Sequence, residues 1–194
     1  MNLLKSSYLT SKELLKLNFK KLGTNVLIDK NVIMPNTHNI EIGNNVRIDA
    51  YSVISSGKNG HIIFNDHVHI CPQNLIYCSN NHKIIFKKHS GLAAGCKLYG
   101  RTENYDGRFL MNPTHNDEDI ELIEGDIILN KFSTLGCDTT VFPNSIIPIG
   151  TILGSKSLYT GKNELKEWSI YAGNPLRYFR ERSKLSLELS KKYN

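Results

Sequence analysis

The apolar positions of this chain recur every six residues. In the C-terminal half, Leu129, Leu135, Val141, Ile147, Leu153 and Tyr159 follow one another without a break. Four residues after each of the first five stands a small hydroxyl residue: Ser133, Thr139, Ser145, Thr151 and Ser157. A helix brings its apolar face round every 3.6 residues and a simple strand every two, so a strict six fits period 2 and excludes 3.6. The pattern describes a short strand followed by a tight corner.

The first half keeps the same rhythm with insertions. Ile42, Ile48 and Ile54 form one triplet, Phe64, Ile70 and Ile76 the next, and Phe86, Leu92 and Leu98 a third. Equivalent residues lie 22 apart, three hexads plus four residues. A fainter triplet, Ile28, Met34 and Ile40, precedes them. Three hexads per turn make a triangular coil, with each large apolar residue pointing inward onto its equivalent in the next turn. The predicted fold is all-β: a left-handed parallel β-helix over 24–163.

The extra residues must bulge at a corner, around Ser56–Gly60 and Cys78–His82. A longer polar excursion runs from about Gly100 to Gly125. Loops of that length in a compact repeat are usually functional. Open coil ends need covering. Tyr8–Leu22 reads as an amphipathic helix with Ser11 as N-cap, within an N-terminal cap over 1–23. Residues 164–194 read as a linker, Glu164–Asn174, followed by a second capping helix over Pro175–Lys192.

Composition narrows the function classes. The chain has 194 residues, enough for one domain with a terminal appendage, and a formal net charge of +6. It has no arginine-rich run and no nucleic-acid recognition motif. Scattered basic residues suit a phosphate-bearing small molecule. Cys71, Cys78, Cys96 and Cys137 form no Cys-x-x-Cys pair and fit no zinc template, so they read as reduced packing residues. Lys5, Lys12, Lys16, Lys20 and Lys21 break up the apolar positions of the N-terminal segment, which therefore lacks a signal-peptide core. No stretch approaches the roughly 20 apolar residues of a membrane span. A cytoplasmic location is expected.

Motifs then add a resemblance. The repeat is followed by Tyr171-Ala172-Gly173-Asn174-Pro175-Leu176-Arg177, then Arg180 and Arg182. This resembles the ending of the hexapeptide-repeat acetyltransferases. From Leu9 onward the chain is similar to the sugar O-acetyltransferase branch found with lipopolysaccharide, capsule and other surface-polysaccharide genes. The ordered set includes Gly23-Thr24-Asn25-Val26, Ile42-Gly43, Arg47-Ile48-Asp49, Val68-His69-Ile70 and Phe109-Leu110-Met111-Asn112-Pro113-Thr114. The resemblance implies a homotrimer, acetyl-CoA as donor, and active sites between adjacent subunits. It implies no metal.

Acetyl transfer to a sugar hydroxyl needs a base, a donor for the developing oxyanion and a groove for the donor substrate. Histidine suits the base role because its ordinary pKa is about 6.5. Of seven histidines, the coil register favours His69. It precedes the inward Ile70 and lies between Arg47 in the turn before and Gly91 in the turn after, where a bare glycine leaves room for substrate. It also matches the histidine of the family's His-Ile motif. His67 falls at a solvent-facing corner, His38 at a corner, and His89 among Lys87 and Lys88 on a wet surface. His82, in a bulge, and His115, in the long loop, remain secondary candidates. Asp49 could orient His69, bind sugar hydroxyls, or simply cap a corner.

The family usually carries two acids before Tyr-x-Gly; here the segment is Glu103-Asn104-Tyr105-Asp106-Gly107. It usually carries two acids after Arg-Ile; here stands Asp49-Ala50. Both departures remove a carboxylate, which points to a different acceptor, such as an amino sugar, or to a weakened enzyme. CoA is expected along the C-terminal coils, against Gly136, Gly154 and Ser155; Thr160, Gly161 and Lys162 match the family's Thr-Lys segment after the last coil, and Lys162, Arg177 and Arg180 could meet the phosphates. The leading expectation is thus acetylation of a sugar hydroxyl. The rivals are N-acetylation of a nucleotide-linked amino sugar, a γ-carbonic-anhydrase-like zinc enzyme enlisting His69 and His82, and an inactive scaffold.

Overall fold

The structure, a computed structural model, describes residues 7–193. Residues 1–6 and 194, including Lys5 of the expected N-terminal cap, lie outside the described residues. The chain winds into a triangular coil of parallel strands. Its first face is a six-stranded sheet, its second eight-stranded and its third five-stranded. On the second face, strand Arg47–Ile48 pairs with His69–Ile70, then Gly91–Leu92, Thr134–Leu135 and Ile152–Leu153. Every residue of the three clear triplets and of the C-terminal hexad series is buried. Full burial of such a side chain contributes about 1.5–3 kcal/mol.

The small residue at the fourth position has a physical reason. Ser133, Ser145 and Ser157 are each buried and donate to the carbonyl three residues back, at 2.7, 2.7 and 2.6 Å. The hydroxyl fits the crowded corner and satisfies a buried carbonyl. The corners also need positive φ, which Asn, Asp and Gly adopt at least cost. Asn25, Asn45, Asn81, Asp138, Asn144 and Gly150 supply it.

One corner column departs from this habit. His67, His89, Phe132 and Trp168 have φ of 58°, 62°, 62° and 49°. Their rings form a ladder, with centroid separations of 4.9, 4.9 and 5.9 Å. Gly150 lies in the turn between Phe132 and Trp168, where a Cβ would come within 2.4 Å of the indole. Arg182 closes the ladder with its guanidinium 5.7 Å from the Trp168 ring, donating to the carbonyls of Phe132 and Gly150. His89 is therefore not on a wet surface. Burial, helped by His67 and Lys88, pushes its pKa down. His67, expected to face solvent, is half-buried in the same ladder.

Both ends differ from expectation. The first helix is only Ser11–Lys16, and its N-cap is Thr10, not Ser11, in a capping box with Glu13. Asn18 turns left-handed at φ 51°, and Lys21–Leu22 already pairs with Ile40–Ile42 on the first face. The expected helix over Pro175–Lys192 is mostly a hairpin. Ser169–Ala172 adds to the second face, and Arg177–Glu181 folds back antiparallel on it. Gly-Asn-Pro turn chemistry outweighs the helical pattern there. Helix survives only at Leu185–Ser190. The long excursion is an antiparallel arm, Arg101–Glu103 against Leu122–Glu124. All four cysteines are free thiols; Cys78 and Cys96 are buried, whereas Cys71 is half-buried and Cys137 exposed, so the last is no packing residue.

Candidate active site

The second face presents the most organised polar cluster. The pairing Arg47–His69–Gly91 places these three in adjacent strands. Because equivalent residues align, Asp49 stands beside the carboxy-terminal edge of His69's strand and reaches it. Asp49 Oδ2 lies 2.8 Å from His69 Nε2. Asp49 Oδ1 accepts from Arg47 Nε at 2.7 Å and from the Tyr8 hydroxyl at 3.0 Å. Asp49 is buried, while the His69 side chain is 47% exposed.

Burial raises the Asp49 pKa, but hydrogen bonds from Arg47, His69 and Tyr8 outweigh it, and the net shift is downward. An ionised Asp49 can only accept, so His69 Nε2 is the donor, and in the neutral ring the lone pair lies on Nδ1. Asp49 thereby sets the tautomer. Its depressed pKa also stabilises the fold above the ordinary value of 3.8, and that contribution is lost as pH falls through the lower folded value. Thermal melts below pH 4 should therefore show a steeper acid decline in wild type than in Asp49→Asn.

A shallow groove of about 320 Å³ runs beside His69, floored by Gly91, Leu92 and Ala93 and flanked by Cys71. A Cβ at Gly91 would meet the His69 carbonyl at 2.7 Å, so the close strand approach requires glycine here. A larger cavity, about 910 Å³, lies on the third face under the arm. Tyr77, Tyr99, Phe142, Arg101 and Glu103 line it. Arg101 stacks 5.3 Å from the Tyr77 ring.

The other candidates divide between these places and none. Glu103, Tyr105 and the arm border the larger cavity. Their polar groups are tied within the arm. Glu103 accepts the Asn112 amide, Asn104 donates to Glu121, Tyr105 bonds Thr102, and Asp106 pairs with Arg108. His115 is exposed in the arm. His82 sits at a corner with Nδ1 3.2 Å from Asp126, and within one chain no group of three histidines gathers among the described residues. Gly136 and Gly154 continue a small-residue column below Asp49 and Cys71, and a Cβ at Gly136 would come within 2.5 Å of the Ser155 amide. Gly161 is at a turn with φ 75°. Ser155, Thr160 and Lys162 are exposed, and Arg177 and Arg180 sit exposed on the C-terminal hairpin instead of on a helix. Sequence reasoning missed Cys71 as a neighbour of His69 and Tyr8 as a partner of Asp49. The 22-residue register could have found Cys71, which is the equivalent of Asp49.

No family model matches the chain. It is 31% identical over 183 residues to a dTDP-4-amino-4,6-dideoxy-D-glucose acyltransferase of Escherichia coli, covering 94% of this chain and 93% of that one. Among solved structures it is similar to a single-residue variant of AntD, an N-acyltransferase from Bacillus cereus in complex with dTDP-4-amino-4,6-dideoxyglucose and coenzyme A. That match has a TM-score of 0.91 and 29% identity over 98% of each chain. A hexapeptide-repeat acetyltransferase from Vibrio cholerae complexed with acetyl coenzyme A shares the fold, with a TM-score of 0.56 and 16% identity over 90% of this chain and 78% of that one. A hexad coil and a full-length acyltransferase relative together settle the affiliation: the chain belongs to the hexapeptide-repeat acyltransferases.

Proposed function

We propose that the protein transfers an acyl group, acetyl in the simplest case, from coenzyme A to the amino group of a nucleotide-linked 4-amino-4,6-dideoxyhexose. N-acylation replaces O-acetylation as the leading reading because both full-length relatives are described with an amino sugar as acceptor. The carboxylates missing at Asn104 and Ala50 agree with it, since an amine needs less help from bases than a hydroxyl does. The observation that carries the reading is the Asp49–His69 pair beside the groove lined by Gly91, Leu92 and Ala93.

In this reading His69 Nδ1 accepts the proton released as the amine adds to the thioester carbonyl, and returns it to the departing sulfur. The C–N bond forms, the C–S bond breaks, and free thiol leaves. Asp49 holds the ring and offsets the transient imidazolium charge. Arg47 and Tyr8 position Asp49. The glycine column from Gly136 to Gly154 suits the narrow pantetheine arm, and Lys162, Arg177 and Arg180 suit its phosphates. The aromatic cavity under the arm suits a nucleotide, with Glu103 and Tyr105 in its lining.

The His69 groove and the arm cavity lie on different faces of one chain. A homotrimer that brings them together between copies is part of the proposal. Exposed apolar residues such as Ile146 on the first face support association. A cytoplasmic location and a product destined for a surface polysaccharide are part of the same proposal. Among the described residues no helix is long and apolar enough to cross a membrane.

The test is thiol release from acetyl-CoA against three acceptors: a free sugar, a nucleotide-linked hydroxyl sugar and a nucleotide-linked 4-amino sugar. Turnover with the amino sugar alone is expected. Equal rates with the hydroxyl sugar sink the amine reading, and no turnover with any acceptor restores the scaffold reading.

A further inference from the structure

Cys71 has no part in acyl transfer as proposed, yet it stands against the base. Its Sγ lies 3.9 Å from both ring nitrogens of His69. A carboxylate oxygen of Asp49, a ring nitrogen of His69 and Cys71 Sγ all lie within 4.8 Å of one another. The coil makes this cluster. Asp49 and Cys71 occupy equivalent places in successive turns, and His69 rises between them from the same strand pair. The next place in that column is Ala93.

We propose that Asp49, His69 and Cys71 form a binding site for a soft divalent cation of the zinc type, and that occupancy blocks acyl transfer. Zinc prefers thiolate, imidazole and carboxylate ligands in tetrahedral array, with bonds of about 2.0–2.3 Å. Such bonds put ligand-to-ligand edges at roughly 3.3–3.7 Å. The Asp49–His69 separation of 2.8 Å opens by under an ångström to admit the ion, and the His69–Cys71 separation of 3.9 Å closes by a few tenths. The fourth position faces the groove beside Gly91 and stays open. Thiolate and carboxylate together neutralise the ion, and the thiol proton leaves to solvent.

Occupancy acts on catalysis through the tautomer. A cation between Asp49 Oδ2 and His69 Nε2 takes the place of the shared proton. The neutral ring then carries its proton on Nδ1, and the lone pair that serves as base is gone. This consequence for rate rests on the His69 reading; the site itself does not.

The test uses the full chain without a histidine tag, with added zinc or cobalt as the probe. Wild type should bind one equivalent of zinc by calorimetry, and the cobalt form should show thiolate-to-metal charge-transfer absorption. Cys71→Ala should weaken binding by at least about tenfold and abolish that absorption, whereas Cys137→Ala should retain both. Absence of the cobalt band, or equal binding by wild type and Cys71→Ala, overturns the site. Zinc should also inhibit wild type more strongly than it inhibits Cys71→Ala, each relative to its own zinc-free rate. Stoichiometric binding with unchanged turnover upholds the site and overturns His69 as the base.

Discussion

His69→Ala should lower kcat by about 10²–10⁴-fold, the usual contribution of a positioned general base, while leaving the melting temperature close to wild type. The reasoning is local. The side chain is 47% exposed, so its removal leaves little cavity. Asp49 keeps the hydrogen bonds from Arg47 and Tyr8, so no buried carboxylate is orphaned. What disappears is the Nδ1 lone pair. KM for both substrates should change little, because the ring acts on the proton in transit rather than on ground-state binding. His69→Gln should not restore the rate, since an amide has no basic nitrogen. Steady-state kinetics with both substrates varied decide the matter: kcat should fall in the variant while both KM values hold. A variant that keeps full rate removes His69 from the mechanism.

Phe86→Ala should cost about 3–5 kcal/mol, the largest stability effect expected from a single substitution. Phe86 is fully buried and stacks on Phe64 in the preceding turn at 4.9 Å. It is also paired in register with Leu129 of the following turn. That junction spans the departure of the arm, so covalent continuity between the two turns is indirect and packing must hold them. In a coil where each turn touches only its neighbours, the loss stays near its origin. Hydrogen exchange should accelerate first in His61–Phe64, Lys83–Phe86 and Ile127–Leu129. Leu15→Ala, on the first helix and 74% exposed, should shift stability by less than about 0.5 kcal/mol. Denaturant melts of the two variants provide the check.

The coil was legible because its signal is redundant. Each hexad repeats one physical demand, a large inward side chain and a small corner residue, and fifteen such positions outweigh any local ambiguity. The same redundancy made the His69 neighbourhood readable, since a residue at one turn predicts what stands 22 positions away. Where the period ends, so does that ruler. The C-terminal hairpin was read as a helix because its basic residues suit a solvated helix face, although Gly173-Asn174-Pro175 demands a turn. The first helix was overextended because Asn18 gives no strong sign of a left-handed turn in an apolar, lysine-spaced run. The aromatic ladder escaped notice because aromatic residues rarely occupy positive-φ corners. Stacking on their equivalents, with Arg182 at the end, is what makes those positions tolerable for His67, His89, Phe132 and Trp168. The arm's interior bonds were not readable at all, because its residues follow no period.

The departures in the acid segment proved more informative than the matches. A hydroxyl acceptor calls for strong base assistance, and the base proposed for this chain is a single histidine paired with one carboxylate. An amine fits that equipment better. The bond formed in the product therefore tests the central claim most directly. Purified protein is incubated with acetyl-CoA and dTDP-4-amino-4,6-dideoxyglucose, and the product is examined by mass spectrometry before and after hydroxylamine. A product one acetyl group heavier that resists hydroxylamine is an amide, the predicted result. A product that hydroxylamine strips of its acetyl group is an ester, and contradicts the proposal.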